Sequence, residues 1–132
     1  MITGIDKVTV FIRDEADALK FYTEKLGLET RMDISMPEGG RWVTVGPRGG
    51  AGAELILHNP LRWHPSDIAH RMMEMVGKVS GTVLSTDNCR QTCADMAEQG
   101  VEILSPPAVR PYGVEAIFAD LYGNTFILVE HI

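Results

Sequence analysis

Gly81–Asn88, GTVLSTDN, repeats a plan first met at Lys7–Asp14, KVTVFIRD. In both places a strand-like run ends in Asp, a helix-like run follows, and Gly with two strand residues closes the unit. Asp14 to Gly27 and Asp87 to Gly100 both span 13 residues, an offset of 73 (87 − 14 and 100 − 27). The offset continues through Leu28/Val101 and Glu29/Glu102. Carried further, it pairs Trp42 with Glu115, Glu54 with Ile127 and His58 with His131. Self-similarity of this length predicts two modules made by duplication.

Working outward, Lys7, Thr9 and Phe11 alternate with Val8, Val10 and Ile12, which predicts a strand with one apolar face. Asp14 can cap a helix in which Ala16, Leu19, Phe21, Tyr22 and Leu26 recur at helical spacing, and Gly27 suits its end. Strands are predicted over 28–34, 42–45 and 53–57, separated by turns at 36–40 and 46–50. Asn59-Pro60 breaks the last of these, and Pro65-Ser66-Asp67 can open a short helix over 68–76. Its Met72, Met73 and Met75 suit either ordinary packing or a pliable flap over a ligand. The second module then reads as a strand over 79–86, a helix capped by Asp87 and ended by Gly100, a strand over 101–104, a loop over 105–113, and strands over 114–118 and 125–130. The organisation expected is a single α+β domain over 1–132, with a β-α-β-β-β module at about 4–58, a connection at 59–78 and a second module at about 79–131.

Composition narrows the class of function. The chain has 132 residues, 45% of them hydrophobic and 23% charged, with mean hydropathy near zero, as in a soluble one-domain protein. No run of about 18 apolar residues is present, so no transmembrane helix is expected. The first residues alternate like a strand and lack the pattern of a secretory leader, so a cytoplasmic location is expected. A net charge of −6 without a Lys/Arg cluster argues against nucleic acid or an anionic membrane as partner. Cys89 and Cys93 lie four apart on a predicted helix, poorly placed for a disulfide. No Ser–His–Asp or Cys–His set can be placed, and the Gly-rich stretch 46–52 lacks the strand–loop–helix context of a phosphate loop.

Two segments carry a family resemblance: Asp14 with ALKFYTEKLGLE (18–29), and DLYGNTFILVE (120–130) preceded by YGVEAIFAD (112–120). The chain resembles the vicinal oxygen chelate superfamily of glyoxalases, bleomycin-resistance proteins and extradiol dioxygenases, with Leu121 where Pro is usual. The resemblance implies a U-shaped mixed sheet around a cleft between the modules, and a homodimer. It implies further that metal-dependent relatives hold their ion from four strand positions, which here read Lys7, Glu54, Gly81 and Ile127. Gly and Ile offer no donor, and a Lys ammonium has no lone pair at neutral pH. No metal or other cofactor is therefore expected, with a rearranged Glu54/His58 pair as the alternative.

The candidate ligand-binding residues are Lys7, Thr9, Trp42, Glu54, His58, Tyr112 and Glu115. Lys7 is expected to stand in for the missing cation, paired with Glu54 or with an anionic ligand. Trp42 can stack on a planar ligand, and Tyr112 can rim the cleft. Arg41 and Arg110 are carboxylate binders or simply exposed arginines. His64 and His70 fall in the connection, where solvent exposure is the default. The function expected is binding of a small molecule, such as an antibiotic or toxic metabolite. The alternative is a glyoxalase-like lyase or isomerase, or a dioxygenase-like enzyme.

Overall fold

In the computed structural model, which describes residues 1–132, the alternating run Lys7–Phe11 is strand β1, with Val10 and Ile12 on its inner side fully buried. The chain continues through α1 (Glu15–Lys20), a π-helical turn (Phe21–Lys25), β2 (Glu29–Ser35), β3 (Arg41–Gly46) and β4 (Glu54–His58). A 3-10 turn (Pro60–Arg62) and α2 (Ser66–Met73) follow. Then come β5 (Thr82–Ser85), α3 (Cys89–Glu98), β6 (Glu102–Arg110), β7 (Gly113–Ala119) and β8 (Thr125–His131). The fold is α+β, with two β-α-β-β-β units, Met1–Val76 and Gly77–Ile132.

Each unit has one mixed sheet, ordered β1-β4-β3-β2 in the first and β5-β8-β7-β6 in the second. The β1/β4 and β5/β8 pairs are parallel and the rest antiparallel. One face of the first sheet buries Val10, Val43, Val45, Leu55 and Leu57 against Ala18, Phe21 and Tyr22 of the helix. The corresponding face of the second buries Ala116, Phe118, Phe126 and Leu128 against Cys89, Cys93 and Met96. Burial on that scale, about 1.5–3 kcal/mol for each large apolar side chain, is the main force holding each layer.

The duplication is real but its register drifts. The Asp14 side chain accepts from Asp17 N at 2.9 Å and caps α1, as expected. Asp87 does not cap α3; Asn88 does, accepting from Gln91 N at 3.0 Å. The caps are therefore 74 apart (88 − 14), while the helix-ending Gly27 and Gly100, both at positive φ, remain 73 apart. The extra residue of the first unit is absorbed in the π turn, where Leu26 N bonds Phe21 O five residues back.

Beyond the helices the offset of 73 holds closely. Glu29 pairs with Gly46 and Glu102 with Ala119, and both hairpins carry a register shift just afterwards, at Thr30/Met32 and Ile103/Ser105. Val45 then pairs with Leu55, ten residues on, and Phe118 with Phe126, eight on (55 − 45 and 126 − 118). The offset therefore falls to 71 in the last strand of each unit (127 − 56). Ile127 is the counterpart of Ile56, not of Glu54, and His58 is the counterpart of Val129, not of His131.

Three boundaries also differ from expectation. Residues 105–110 are strand rather than loop: Pro106 and Pro107 sit at a register shift on the edge strand β6, where missing amide donors are tolerated. β5 is short and leaves Gly81 outside it, at φ +88°. α2 starts at Ser66 and ends at Met73, before the predicted limit of 76.

The turn Asp120–Asn124 is held by its two buried polar ends, while its tip is exposed. Asp120 Oδ1 accepts from Tyr122 N and Asn124 N, both at 2.9 Å, and Oδ2 accepts from Asn124 Nδ2 at 2.8 Å. Asn124 Oδ1 accepts from Val79 N at 3.1 Å, tying the turn to the start of the unit. These bonds give the segment that carries much of the family resemblance a structural task.

Candidate functional site

The outer face of the first sheet, opposite its helix, collects most of the candidates. Lys7 lies opposite Glu54, Thr9 opposite Ile56 and Phe11 opposite His58. Thr44 pairs with Ile56, so Trp42, two residues earlier on the antiparallel strand, reaches the His58 row. Along the strands from Lys7 to Phe11 this face is thus charged, then mixed, then aromatic.

The aromatic row is completed by the connection after β4. Trp63 lies edge-on to Trp42, with ring centroids 6.2 Å apart, and stacks on His58 at the same separation. Its indole N–H donates to Arg41 O at 3.3 Å. Phe11 packs edge-on to His58 at 6.0 Å. His64 is half-buried rather than exposed, and its Nε2 lies 3.0 Å from Nε2 of His58. Burial, then the neighbouring His64, holds the His58 imidazole below its ordinary range.

A buried polar anchor fixes this connection. Asn59 donates to Arg13 O at 3.1 Å and to Glu15 Oε1 at 3.4 Å, while its Oδ1 accepts from Leu61 N at 3.1 Å. Arg62 pairs with the buried Glu15 carboxylate at 2.9 Å. Gly40 lies so close to the Trp63 ring that an added Cβ would press on it at 3.1 Å. Sequence reading missed Trp63 and undervalued His64. The Asn59-Pro60 break, which returns the chain toward the sheet it has just left, is the signal that bears on both.

The predicted Lys7–Glu54 ion pair does not form. Lys7 Nζ pairs with Asp6 Oδ2 at 2.7 Å, and that bond is the leading reason its pKa is raised, with Glu54 a minor contributor. Adjacent residues on an exposed edge meet more easily than two side chains projecting side by side from a sheet. Glu54 Oε1 is left buried without a hydrogen-bond partner, as is Thr44 Oγ1. Arg41 forks onto Asp33 with two 2.8 Å bonds, holding the Asp33 carboxyl below its usual range. An open polar hollow of about 600 Å³ lies beside it, lined among others by Asp33, Ser35, Arg41 and Arg62.

Tyr112 and Glu115 belong to the second unit. Tyr112 Oη donates to Glu115 Oε1 at 2.7 Å, the main cause of its raised pKa, and Arg110 approaches Oε2 at 3.4 Å. Both arginines singled out as carboxylate binders thus carry carboxylates of this chain. The thiols of Cys89 and Cys93 are unbridged and buried, and burial pushes Cys93 up to about 11, so neither is a ready nucleophile at neutral pH.

The register decides how the family's metal would fit. Lys7 and Gly81 are counterparts: Lys7 pairs with Glu54 and, by extension of the ladder, Gly81 lies opposite Thr125. Ile127 has Ile56 as its counterpart. The symmetric set of four is Lys7, Ile56, Gly81 and Ile127, none of which supplies a donor at neutral pH. Nor does any group of three His, Cys, Asp or Glu side chains converge elsewhere. The residues do not fit the family's metal.

Comparison with known proteins agrees with this architecture. The family model "Glyoxalase/Bleomycin resistance protein/Dioxygenase superfamily" matches residues 4–128. The crystal structure of UcmS2 superposes with TM-score 0.85 at 33% identity, covering 98% of this chain and 99% of that one. TnmS3, described as an antibiotic binding protein from Streptomyces sp. CB03234, superposes with TM-score 0.82 at 30% identity, covering 99% and 98%. The uncharacterized protein YetH of Bacillus subtilis is 29% identical over 98% of this chain and 100% of its own length. No helix is long and apolar enough to cross a membrane.

Proposed function

Since the chain belongs to the Glyoxalase/Bleomycin resistance protein/Dioxygenase superfamily, we propose that it binds a planar, apolar-to-aromatic small molecule and holds it without chemical change. The observation that carries this reading is the row Phe11–His58–Trp42 with Trp63 laid across it. Rings at this spacing present faces and edges that favour another ring system. The similarity to an antibiotic binding protein points the same way, toward sequestration of an antibiotic or other toxic compound. The lack of donors at the four family positions supports binding without the family's metal.

A thermal-shift screen of planar aromatic compounds, with the bound compound recovered and weighed by mass spectrometry, tests the proposal. The expected result is a raised melting temperature, saturable quenching of Trp fluorescence and intact compound. Conversion of the compound would instead favour a glyoxalase-like lyase or isomerase. The observation behind that second reading is the unpartnered, buried Oε1 of Glu54, a carboxylate free to act as a base. No shift with any ring system would sink the binding proposal.

A further inference from the structure

His58 and His64 come from different elements, the end of β4 and the residues after the 3-10 turn. Their Nε2 atoms nonetheless converge to 3.0 Å, with the rings 63° apart. We propose that this pair is a two-imidazole chelate for a divalent late transition ion, Cu²⁺ or Ni²⁺, at a place distinct from the four positions the family uses. His58 lies one row further along β4 than Ile56, on the same face, and His64 has no counterpart in those four strands.

The close approach of the two nitrogens favours an ion that takes cis ligands. With each nitrogen about 2.0–2.1 Å from a bound metal, a 3.0 Å separation sets an N–metal–N angle near 90°. That is the cis angle of square-planar and tetragonal sites and is tighter than a tetrahedral Zn²⁺ site prefers. No third His, Cys, Asp or Glu joins the pair, so the remaining positions stay open to water or to oxygen donors of a small molecule. Imidazole is a suitable ligand for both ions. Trp63, stacked on His58, and the Asn59–Glu15–Arg62 anchor keep the two rings adjacent; with ring centroids 5.2 Å apart the nitrogens face each other, so each ring turns by about 40° to aim at a shared ion.

Without metal, one Nε2 must carry a proton and donate it to the other. On binding, that proton moves through solvent to Nδ1 of the same ring. Both Nε2 lone pairs then face the ion, and the imidazoles stay neutral with no net proton released. The proposal does not depend on aromatic-ligand binding, since water alone can fill the open positions.

Titration of the metal-stripped full chain with Cu²⁺, and separately with Ni²⁺, tests it. Trp63 stacks directly on His58, so bound Cu²⁺ should quench Trp fluorescence. The expected result is saturation at one equivalent, with electron paramagnetic resonance of the Cu²⁺ form showing two equatorial nitrogens. Affinity should fall by at least about tenfold in both His58→Gln and His64→Gln, and stay unchanged in His70→Gln. Circular dichroism checks that the variants fold, and the resonance spectrum of the parent stands as a second readout if one does not. No saturable binding, a spectrum without two nitrogens, or equal affinity in parent and His64→Gln would each overturn the proposal.

Discussion

His58 shows how a single side chain takes its character from its neighbours. Its β4 position places it in a row of rings, and half-burial beside His64 disfavours its charged form. A base depressed in the folded state takes up its proton more readily when unfolded, so the unfolded chain gains protons first as pH falls. Stability therefore rises with pH through this window. It is fully present above about pH 6.5 and declines below it until the folded value is passed. The unfolding midpoint of the parent should drop more steeply between about pH 7.5 and pH 5 than that of His58→Gln. Parallel curves for the two proteins would show that His58 titrates as it does in the unfolded chain. Lys7 teaches the opposite lesson. Strand alternation placed it on the right face beside Glu54, but its ammonium went to Asp6, the nearer carboxylate. Which of two adjacent carboxylates a flexible ammonium chooses depends on local angles that periodicity does not encode.

The helices and strands were legible wherever period and punctuation agreed. Gly27 and Gly100 end their helices because a positive φ is needed there and only Gly adopts it cheaply. Asp14 caps the first helix as its place before the apolar run predicts, whereas Asp87, expected to cap the second, yields to its neighbour Asn88. The choice fell to Asn88 because the second helix contains no π turn and is one residue shorter from cap to Gly. Asn88→Ala should accordingly cost about 1 kcal/mol in urea unfolding, and Asp87→Ala only a few tenths. The reverse order would restore Asp87 as the cap. The loop expected over 105–113 is strand as far as Arg110, since an edge strand with a bulge accommodates Pro106 and Pro107 where a central strand would not.

At the scale of the whole chain, duplication is what makes the missing metal ligands visible. Each unit checks the other: an Ile127 without a donor in one is matched by Ile56 in the other, and Gly81 by Lys7. Gly81 also stands at φ +88°, a conformation an imidazole-bearing residue would adopt only at a cost. The homodimer expected from the family resemblance remains a proposal, with exposed apolar residues such as Val83, Leu104 and Val109 of the second unit available for a partner copy. Light scattering at micromolar concentration should give twice the 14.5 kDa of the chain, and a monomer mass would refute the proposal.

From the sequence alone came the two modules, the strand and helix periods, the helix stops at Gly27 and Gly100 and the family, because these rest on local spacing that each segment carries by itself. The register did not. An extra residue in one helix and two in one loop move the offset from 74 to 73 to 71, and hydrogen-bonded ladders alone reveal where each step falls. The site was half legible. His58 follows from alternation with Glu54 and Trp42 from the repeat offset, but Trp63 and His64 join them only because Asn59, Glu15 and Arg62 fold the connection back over the sheet. Contacts between residues some 45 positions apart leave no periodic trace in a sequence, so only the tertiary structure brought those four rings together.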